Sequence, residues 1–114
     1  MPDSPIPLIK GTVDVMILKA LSFGPGHGYA ISRWIARTSG DVFSLQEGAL
    51  YPALRRLEER ALVESEWVVT ETGREARTYR LTAAGRQRLR SEVAEWTRYV
   101  DAMGRLLRAT RGVA

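Results

Sequence analysis

The segment GALYPALRRLEERALV, residues 48–63, contains a helix pattern interrupted by two residues that weaken helices. Apolar residues recur at steps of four, three and four, which predicts a helix with one buried stripe formed by Leu50, Leu54, Leu57 and Ala61. Gly48 is flexible, and Pro52 lacks an N–H and crowds the carbonyl of the preceding turn. On a helical wheel both residues lie opposite the stripe, together with Arg55. The helix therefore presents its unusual residues outward, toward a large partner.

Two further helices are predicted before this segment. The run from Thr12 to Leu21 has a wide apolar face, and the sequence FGPGHG at 23–28 ends it. A second helix is expected from about Tyr29 to Thr38. Ser44 and Glu47 have the spacing of a capping box, which predicts that the third helix begins there and ends near Arg60.

After the third helix the residue types favour strands. Residues 66–70 and 77–81 are rich in β-branched and aromatic side chains, and the polar sequence ETGREA at 71–76 separates them. This arrangement predicts a β-hairpin with a glycine-containing loop. Thr82 then resembles an N-cap, from which a last helix is expected to run to about Arg108.

The last predicted helix has a heptad pattern. Apolar residues are spaced 4, 3, 4, 3 and 4 apart, at Leu89, Val93, Trp96, Val100, Met103 and Leu107. Such a 3.5-residue period is the seam of a helix that packs along another helix. A domain of this size has little core of its own to cover the seam, so we predict that a second copy of the chain covers it and that the protein is a homodimer.

The composition favours an anionic partner. The chain has 114 residues and a formal net charge of +4, and its basic residues are 15 Arg and two Lys. Arginine suits phosphate and base-edge recognition because its planar fork donates two parallel hydrogen bonds, although a general arginine bias explains the composition equally well. There is no cysteine, no apolar run long enough for a bilayer and no signal-peptide layout, so we expect a soluble cytoplasmic protein without membrane contact.

The order of elements predicts a mainly α fold with a small β-hairpin, namely a winged helix-turn-helix followed by a long C-terminal dimerisation helix. We divide the chain into an extended N-terminal arm at 1–9, a winged helix-turn-helix DNA-binding domain at 10–82, a dimerisation helix at 83–108 and a flexible tail at 109–114. In such folds the third helix enters the major groove of double-stranded DNA and the hairpin, called the wing, lies beside it.

The predicted DNA-binding residues lie on the third helix and on the wing. They are Gln46, Gly48, Ala49, Tyr51, Pro52, Arg55 and Arg56 on the helix, and Arg74 and Arg77 on the wing. A helix N-terminus attracts anions, and small residues there allow a partner to approach closely. The alternative for each single arginine is that it only solvates an exposed face. For the set, on this order of elements, we favour DNA contact.

Four sequence blocks resemble the PadR family of bacterial transcriptional regulators. They are the opening at residues 9–12, GPGHGYAI, GALYPALRRLEERALVESEW and TYRLTAAG, and the resemblance extends over about residues 9–108. The length is similar to that of the family's short form. The resemblance implies a homodimeric winged-helix repressor that binds a pseudo-palindromic operator, with the first and last helices at the dimer interface. It also implies a response to small aromatic ligands, which some members bind near a tryptophan that Trp96 matches.

Two residues depart from the family pattern. Ala61 stands where glycine is common, which disfavours a left-handed helix end at that position. Thr78 stands where a second aromatic residue is frequent, which is expected to alter packing at the base of the wing. Neither residue belongs to the predicted DNA-binding face.

Some residues have two interpretations. Trp96 is interpreted first as dimer packing and alternatively as a stacking site for a flat ligand. His27, the only histidine, is assigned a capping or turn role, and we expect neither metal nor cofactor. The GPGHG sequence lacks the spacing of a dinucleotide loop, and no constellation of catalytic residues is visible, so we predict no enzyme activity. The alternative function is a winged helix that docks on protein rather than on DNA.

Overall fold

The computed structural model describes residues 11–114, so the predicted arm at 1–9 and Lys10 lie outside the described residues. Residues 11–114 form four α-helices and a three-stranded antiparallel sheet, which confirms the predicted fold class. In chain order the elements are α1 (Thr12–Leu21), β1 (Gly26–His27), α2 (Gly28–Thr38), α3 (Glu47–Glu59), β2 (Val63–Val69), β3 (Glu75–Leu81) and α4 (Ala83–Leu107). Residues 109–114 form neither helix nor strand.

The core forms around the apolar stripe of α3. Leu50, Leu54 and Leu57 are almost completely buried, and they pack in one cluster with the apolar faces of α1 and α2. Each buried leucine of this kind stabilises the fold by about 1.5–3 kcal/mol through removal of apolar surface from water. Ala61, the fourth predicted residue of the stripe, is exposed because the helix has already ended.

The start of α3 differs from the prediction. The helix begins at Glu47 with Gln46 as its N-cap, and no side chain caps it, so the predicted capping box between Ser44 and Glu47 is wrong. The physical reason lies in the intervening Leu45, which is buried in the core. Packing of that side chain takes precedence over a serine cap, and the chain turns into the helix two residues later than the sequence pattern indicates.

The helix ends at Glu59 with Arg60 as its C-cap, as predicted, but the conformation of the next residue differs from the expectation. Ala61 has a φ of 59°, in the left-handed region that the sequence disfavours. The N–H of Leu62 donates to the carbonyl of Leu57 at 2.9 Å, and the N–H of Ala61 donates to that of Glu58 at 2.9 Å. These two bonds form a Schellman motif, which usually places glycine where Ala61 stands. The hydrogen bonds and the contacts that follow therefore outweigh the roughly 1 kcal/mol that a left-handed alanine costs.

The sheet has the strand order β1–β3–β2. The hairpin strands begin three and two residues earlier than the predicted 66–70 and 77–81, since Val63 pairs with Leu81 and Val69 pairs with Glu75. The sequence pattern did not predict the first three residues of β2, at 63–65, because only Val63 among these three is apolar. The pattern also did not predict β1. Its two residues pair with Tyr79 and Thr78 of β3, but they lie in the glycine-rich segment 23–28, which is typical of a turn.

Helix α4 begins against the end of α3. The Thr82 hydroxyl accepts from the N–H of Gly85 at 3.0 Å, which confirms the predicted N-cap, and it donates to the carbonyl of Ala61 at 2.6 Å. The Thr82 N–H donates to the carbonyl of Leu62 at 3.1 Å. Gly85 packs directly on the Leu62 backbone. Within α4 only Gly85 and Leu89 are buried, so the rest of the helix extends beyond the core.

We predict that Gly85→Ala destabilises the protein, whereas Gly104→Ala in the same helix does not. An added Cβ at Gly85 would collide with the carbonyl oxygen of Leu62, and backbone cannot move aside cheaply. At Gly104 the added atom meets only the flexible Arg108 side chain. Urea unfolding should show a loss of about 1–3 kcal/mol for the first variant and a gain of up to about 1 kcal/mol for the second. Equal values would contradict the packing of α4 on Leu62.

Candidate nucleic-acid interface

The outward face of α3 carries most of the predicted binding residues. Gln46, Gly48, Ala49, Tyr51, Pro52 and Arg55 are all exposed. A Cβ added at Gly48 would meet no atom within 4 Å, so the first turn of the helix is open to a partner. Free N–H groups and the positive end of the helix dipole at this turn favour negatively charged groups.

Pro52 and Gly48 act on the same hydrogen bond. Pro52 lies inside α3, and its missing N–H is the one that would donate to the carbonyl of Gly48. The carbonyl therefore loses its helical donor on an exposed face of the helix. Glycine at position 48 adds no side chain at this turn, where a Cβ would meet no atom within 4 Å, so a partner can approach the backbone of the first turn closely.

Tyr51 connects α3 with the start of α2. Its side chain is 45% exposed, and its ring lies over Gly28, where an added Cβ would be 2.7 Å from the tyrosine hydroxyl. His27 caps α2 beside it, because its Nδ1 accepts from the N–H of Ala30 at 3.2 Å. This hydrogen bond confirms the predicted capping role of His27. Within residues 11–114 no three His, Asp or Glu side chains are grouped closely enough to hold a metal ion.

The two arginines in the middle of α3 lie in different surroundings. Arg55 makes no hydrogen bond or ion pair with any residue that the structure describes. Arg56 donates from Nη2 to Oδ1 of Asp14 in α1 at 3.2 Å, and Arg60 lies 4.0 Å from the same carboxylate. Arg55 is therefore available on the outward face, whereas Arg56 faces α1 and is already paired.

The wing loop at residues 70–74 is closed by its own hydrogen bonds. The N–H of Thr70 donates to the carbonyl of Arg74 at 2.7 Å, and the N–H of Gly73 donates to that of Thr70 at 2.9 Å. Gly73 has a φ of 81°, which glycine adopts without strain. The Arg74 side chain has no hydrogen-bonding partner among residues 11–114 and is exposed at the loop.

Arg77 lies at the base of the wing and is bound to α3. Its Nη2 is 3.2 Å from each carboxylate oxygen of Glu58, and its Nε donates to the Ser65 hydroxyl at 2.8 Å. The Ser65 hydroxyl in turn donates to Glu58 at 2.7 Å, and the ring of Trp67 lies 6.0 Å from the guanidinium carbon of Arg77. Arg77, which the sequence predicts to contact DNA, is therefore hydrogen-bonded to Glu58 and Ser65 of its own chain.

A cleft of about 820 Å³ separates the wing from α2 and α3. Aromatic and basic side chains line it, including His27, Tyr29, Tyr51, Trp67, Arg74 and Arg77. At its floor, burial raises the pKa of Tyr79, although the nearby Arg77 acts in the opposite direction and Glu58 and Tyr51 in the same direction. Tyr79 therefore stays a neutral phenol at physiological pH, and the charged side chains that line the cleft are Arg74, Arg77 and Glu75.

The heptad seam on α4 is divided between core and surface. Leu89 is 8% exposed and packs in the core of its own chain, so its assignment to a dimer seam is corrected. Val100 is 57% exposed and Leu107 is 79% exposed. Val93 and Met103 are also exposed, and half-buried Trp96 meets Tyr99 edge-to-face at 5.8 Å. Contact of these residues with a second chain, and stacking of a ligand on Trp96, stay predictions.

Sequence reasoning missed Glu58 as a residue of the site. Glu58 is half-buried against the wing, whereas its neighbour Glu59 is exposed. One signal was available, because Glu58 follows Tyr51 by two helical turns and therefore lies on the same side of α3. Its partner could not be identified without the hairpin register, which brings Ser65 and Arg77 together.

Comparison with known proteins identifies the class. Residues 17–91 match the Transcriptional regulator PadR-like family. The chain therefore belongs to this family of transcriptional regulators. No helix within residues 11–114 is long and apolar enough to cross a membrane.

Individual relatives agree with this assignment. An uncharacterised protein of Lysinibacillus sphaericus is 30% identical over 89 residues, which span 78% of this chain and 82% of that protein. A transcriptional regulator of Clostridium thermocellum superposes with a TM-score of 0.76 at 30% identity, covering 85% of this chain and 94% of the other. PadR of Bacillus subtilis, solved in complex with operator DNA, has a TM-score of 0.63 at 22% identity and covers 90% of this chain and 50% of its own.

We predict that Pro52→Ala makes the isolated protein more stable. Alanine restores the N–H that the carbonyl of Gly48 lacks and removes the ring that crowds the preceding turn. Urea unfolding should show a gain of about 1–2 kcal/mol, less than the full cost of an interior proline because proline also restricts the unfolded chain. A loss of stability would show instead that the ring makes packing contacts that outweigh its cost.

Proposed function

We propose that this protein is a sequence-specific DNA-binding regulator that acts as a homodimeric repressor. The observation that carries the proposal is the exposed first half of α3, where Gly48 adds no side chain and Arg55 makes no hydrogen bond or ion pair among residues 11–114. Arg74 in the wing loop lines the cleft and is a second cation without a partner among these residues. The family assignment and the operator complex of Bacillus subtilis PadR support this function.

In the proposed complex, α3 enters the major groove of double-stranded DNA with its N-terminal half. Gln46, Tyr51 and Arg55 reach toward base edges or phosphates, while Arg74 meets the backbone next to them. Two copies related by a two-fold axis read a pseudo-palindromic operator whose half-site centres are roughly 34 Å apart. A flat ligand stacked on Trp96 would regulate DNA binding only if it binds more tightly to one of two dimer conformations, which differ in the distance between the two winged-helix domains.

The test of this function begins with a library of random DNA duplexes that is passed repeatedly over the full-length protein. Enrichment of a pseudo-palindromic sequence, with binding far tighter than to a scrambled duplex, is the expected result. Fluorescence anisotropy at several salt concentrations then gives the number of phosphates contacted, at a log–log slope of about −0.9 each. Equal affinity for every duplex would mean that the protein binds DNA only through its positive charge, without sequence specificity. Absence of binding would favour the protein-docking alternative.

Arg55→Gln and Arg74→Gln are both expected to weaken binding to the selected duplex. Loss of a base contact costs about 1–3 kcal/mol and relaxes specificity, whereas loss of a phosphate contact lowers affinity uniformly and reduces the salt slope by about 0.9. Arg98→Gln in α4 is the matched control, because it makes the same change of charge at an exposed position outside the heptad seam. If all three variants lose affinity equally, only net charge matters and the proposed docking face is wrong.

The proposed dimer is tested on α4. Val100→Lys places a charge in the middle of the exposed apolar seam and should shift the protein toward monomer in sedimentation equilibrium. Thr97→Lys is the control, because Thr97 is exposed on the same helix but lies off the seam. Binding to a duplex with two half-sites should fall in parallel with dimer content. A dimer that persists unchanged in Val100→Lys would mean that the seam is not the interface.

A further inference from the structure

The base of the wing is joined to α3 by a polar cluster. Glu58 of α3 accepts hydrogen bonds from Ser65 of β2 and from Arg77 of β3, and Arg77 also donates to Ser65. Three elements thus meet at one half-buried carboxylate. We call the set Glu58, Ser65 and Arg77 the wing clamp.

The clamp stands at the point where the wing leaves the core. Val63, Tyr79 and Leu81 lie on the same face of the hairpin, closer to the core, and are buried. Beyond the clamp on that face, Trp67 is 64% exposed and Val69 is 66% exposed. Little apolar packing therefore holds the outer half of the wing, and within residues 11–114 the clamp provides the hydrogen bonds that tie this face to α3.

We propose that Arg77 is a positioning residue, which with Glu58 and Ser65 fixes the angle of the wing relative to α3. This inference rests on the proposed function, because the angle matters only if α3 and Arg74 must meet the same DNA segment. Without the clamp the hairpin rocks about its buried base, and Arg74 spends less time where a phosphate lies. DNA binding then loses the benefit of a preorganised second contact.

The charges in the clamp support this role. A carboxylate close to a DNA-binding face repels phosphates, so Glu58 alone would weaken binding. Its presence is explained if the orientation that it gives the wing outweighs that repulsion. Arg77 uses Nε and Nη2, which form one edge of its planar guanidinium, inside the clamp, so turning this edge toward a phosphate would break the bonds to Ser65 and Glu58.

The decisive measurement compares Glu58→Gln with Glu59→Gln on the duplex selected above. Both variants remove one negative charge from neighbouring positions of α3, but Glu59 is exposed and makes no hydrogen bond or ion pair among residues 11–114. We expect Glu58→Gln to bind about three- to tenfold more weakly, because the charge-assisted bonds of the clamp are lost. Glu59→Gln should bind equally or slightly more tightly. Tighter binding by Glu58→Gln would overturn the proposal, since it would mean that Glu58 restrains Arg77 from the DNA.

The salt dependence separates positioning from phosphate contact. Arg77→Gln should lower affinity while leaving the log–log salt slope unchanged, whereas loss of a direct phosphate contact would reduce the slope by about 0.9. The double variant with Glu58→Gln should bind no more weakly than Arg77→Gln alone, because both changes open the same clamp. A reduced slope, or losses that add, would overturn the proposal.

A measurement without DNA tests the clamp independently of the proposed function. Hydrogen exchange of the amides at residues 66–77 should be faster in Glu58→Gln and in Ser65→Ala than in Glu59→Gln, while core amides of α1 stay equally protected. Equal exchange at the wing would overturn the clamp even if DNA binding is specific. If the wild-type protein selects no duplex, the proposed function fails, and the exchange experiment still decides whether the clamp holds the wing.

Discussion

The fold depends on how the end of α3 holds the start of α4. The carbonyls of Ala61 and Leu62 accept the hydroxyl and the N–H of Thr82, and Gly85 packs on the Leu62 backbone. The left-handed Ala61 makes this geometry accessible, because the Schellman turn points both carbonyls toward β3 and α4. One junction thus fixes α3, the hairpin that begins at Val63, and α4 relative to one another. A change in any of the three is transmitted through it.

The sequence predicted the elements whose pattern is long and regular. It did not predict the features that depend on a single tertiary contact. The stripe of α3, the Thr82 cap and the extent of α4 follow from local periodicity and capping chemistry. The start of α3 depends on the burial of Leu45, and β1 depends on pairing with Tyr79. Neither contact leaves a signal within its own few residues. The same limit applies to Leu89, which is buried in a core cluster whose other members are distant in sequence.

The sequence predicted the charged residues of the candidate site, but not which of them form ion pairs within the chain. Four predicted arginines differ sharply, because Arg56 is paired with Asp14 and Arg77 with Glu58, whereas Arg55 and Arg74 are unpaired among the described residues. Net charge counts all four alike, so the value of +4 says little about where an anion would bind. Of these four, only Arg55 on the outer face of α3 and Arg74 in the wing loop could bind an anion without losing an ion pair among the described residues.

Stability and function make opposite demands on α3 and α4. On α3, Pro52 and Gly48 give up a helical hydrogen bond on the face that a partner would meet, while the opposite face keeps three buried leucines. On α4, the chain keeps Leu89 for its own core and leaves Val100 and Leu107 exposed. Exposed apolar residues at a heptad spacing are costly for a monomer and useful for a pair. Because α4 is continuous from Thr82 to Leu107, a partner bound along the seam would set the position of the junction, and with it the direction in which α3 points.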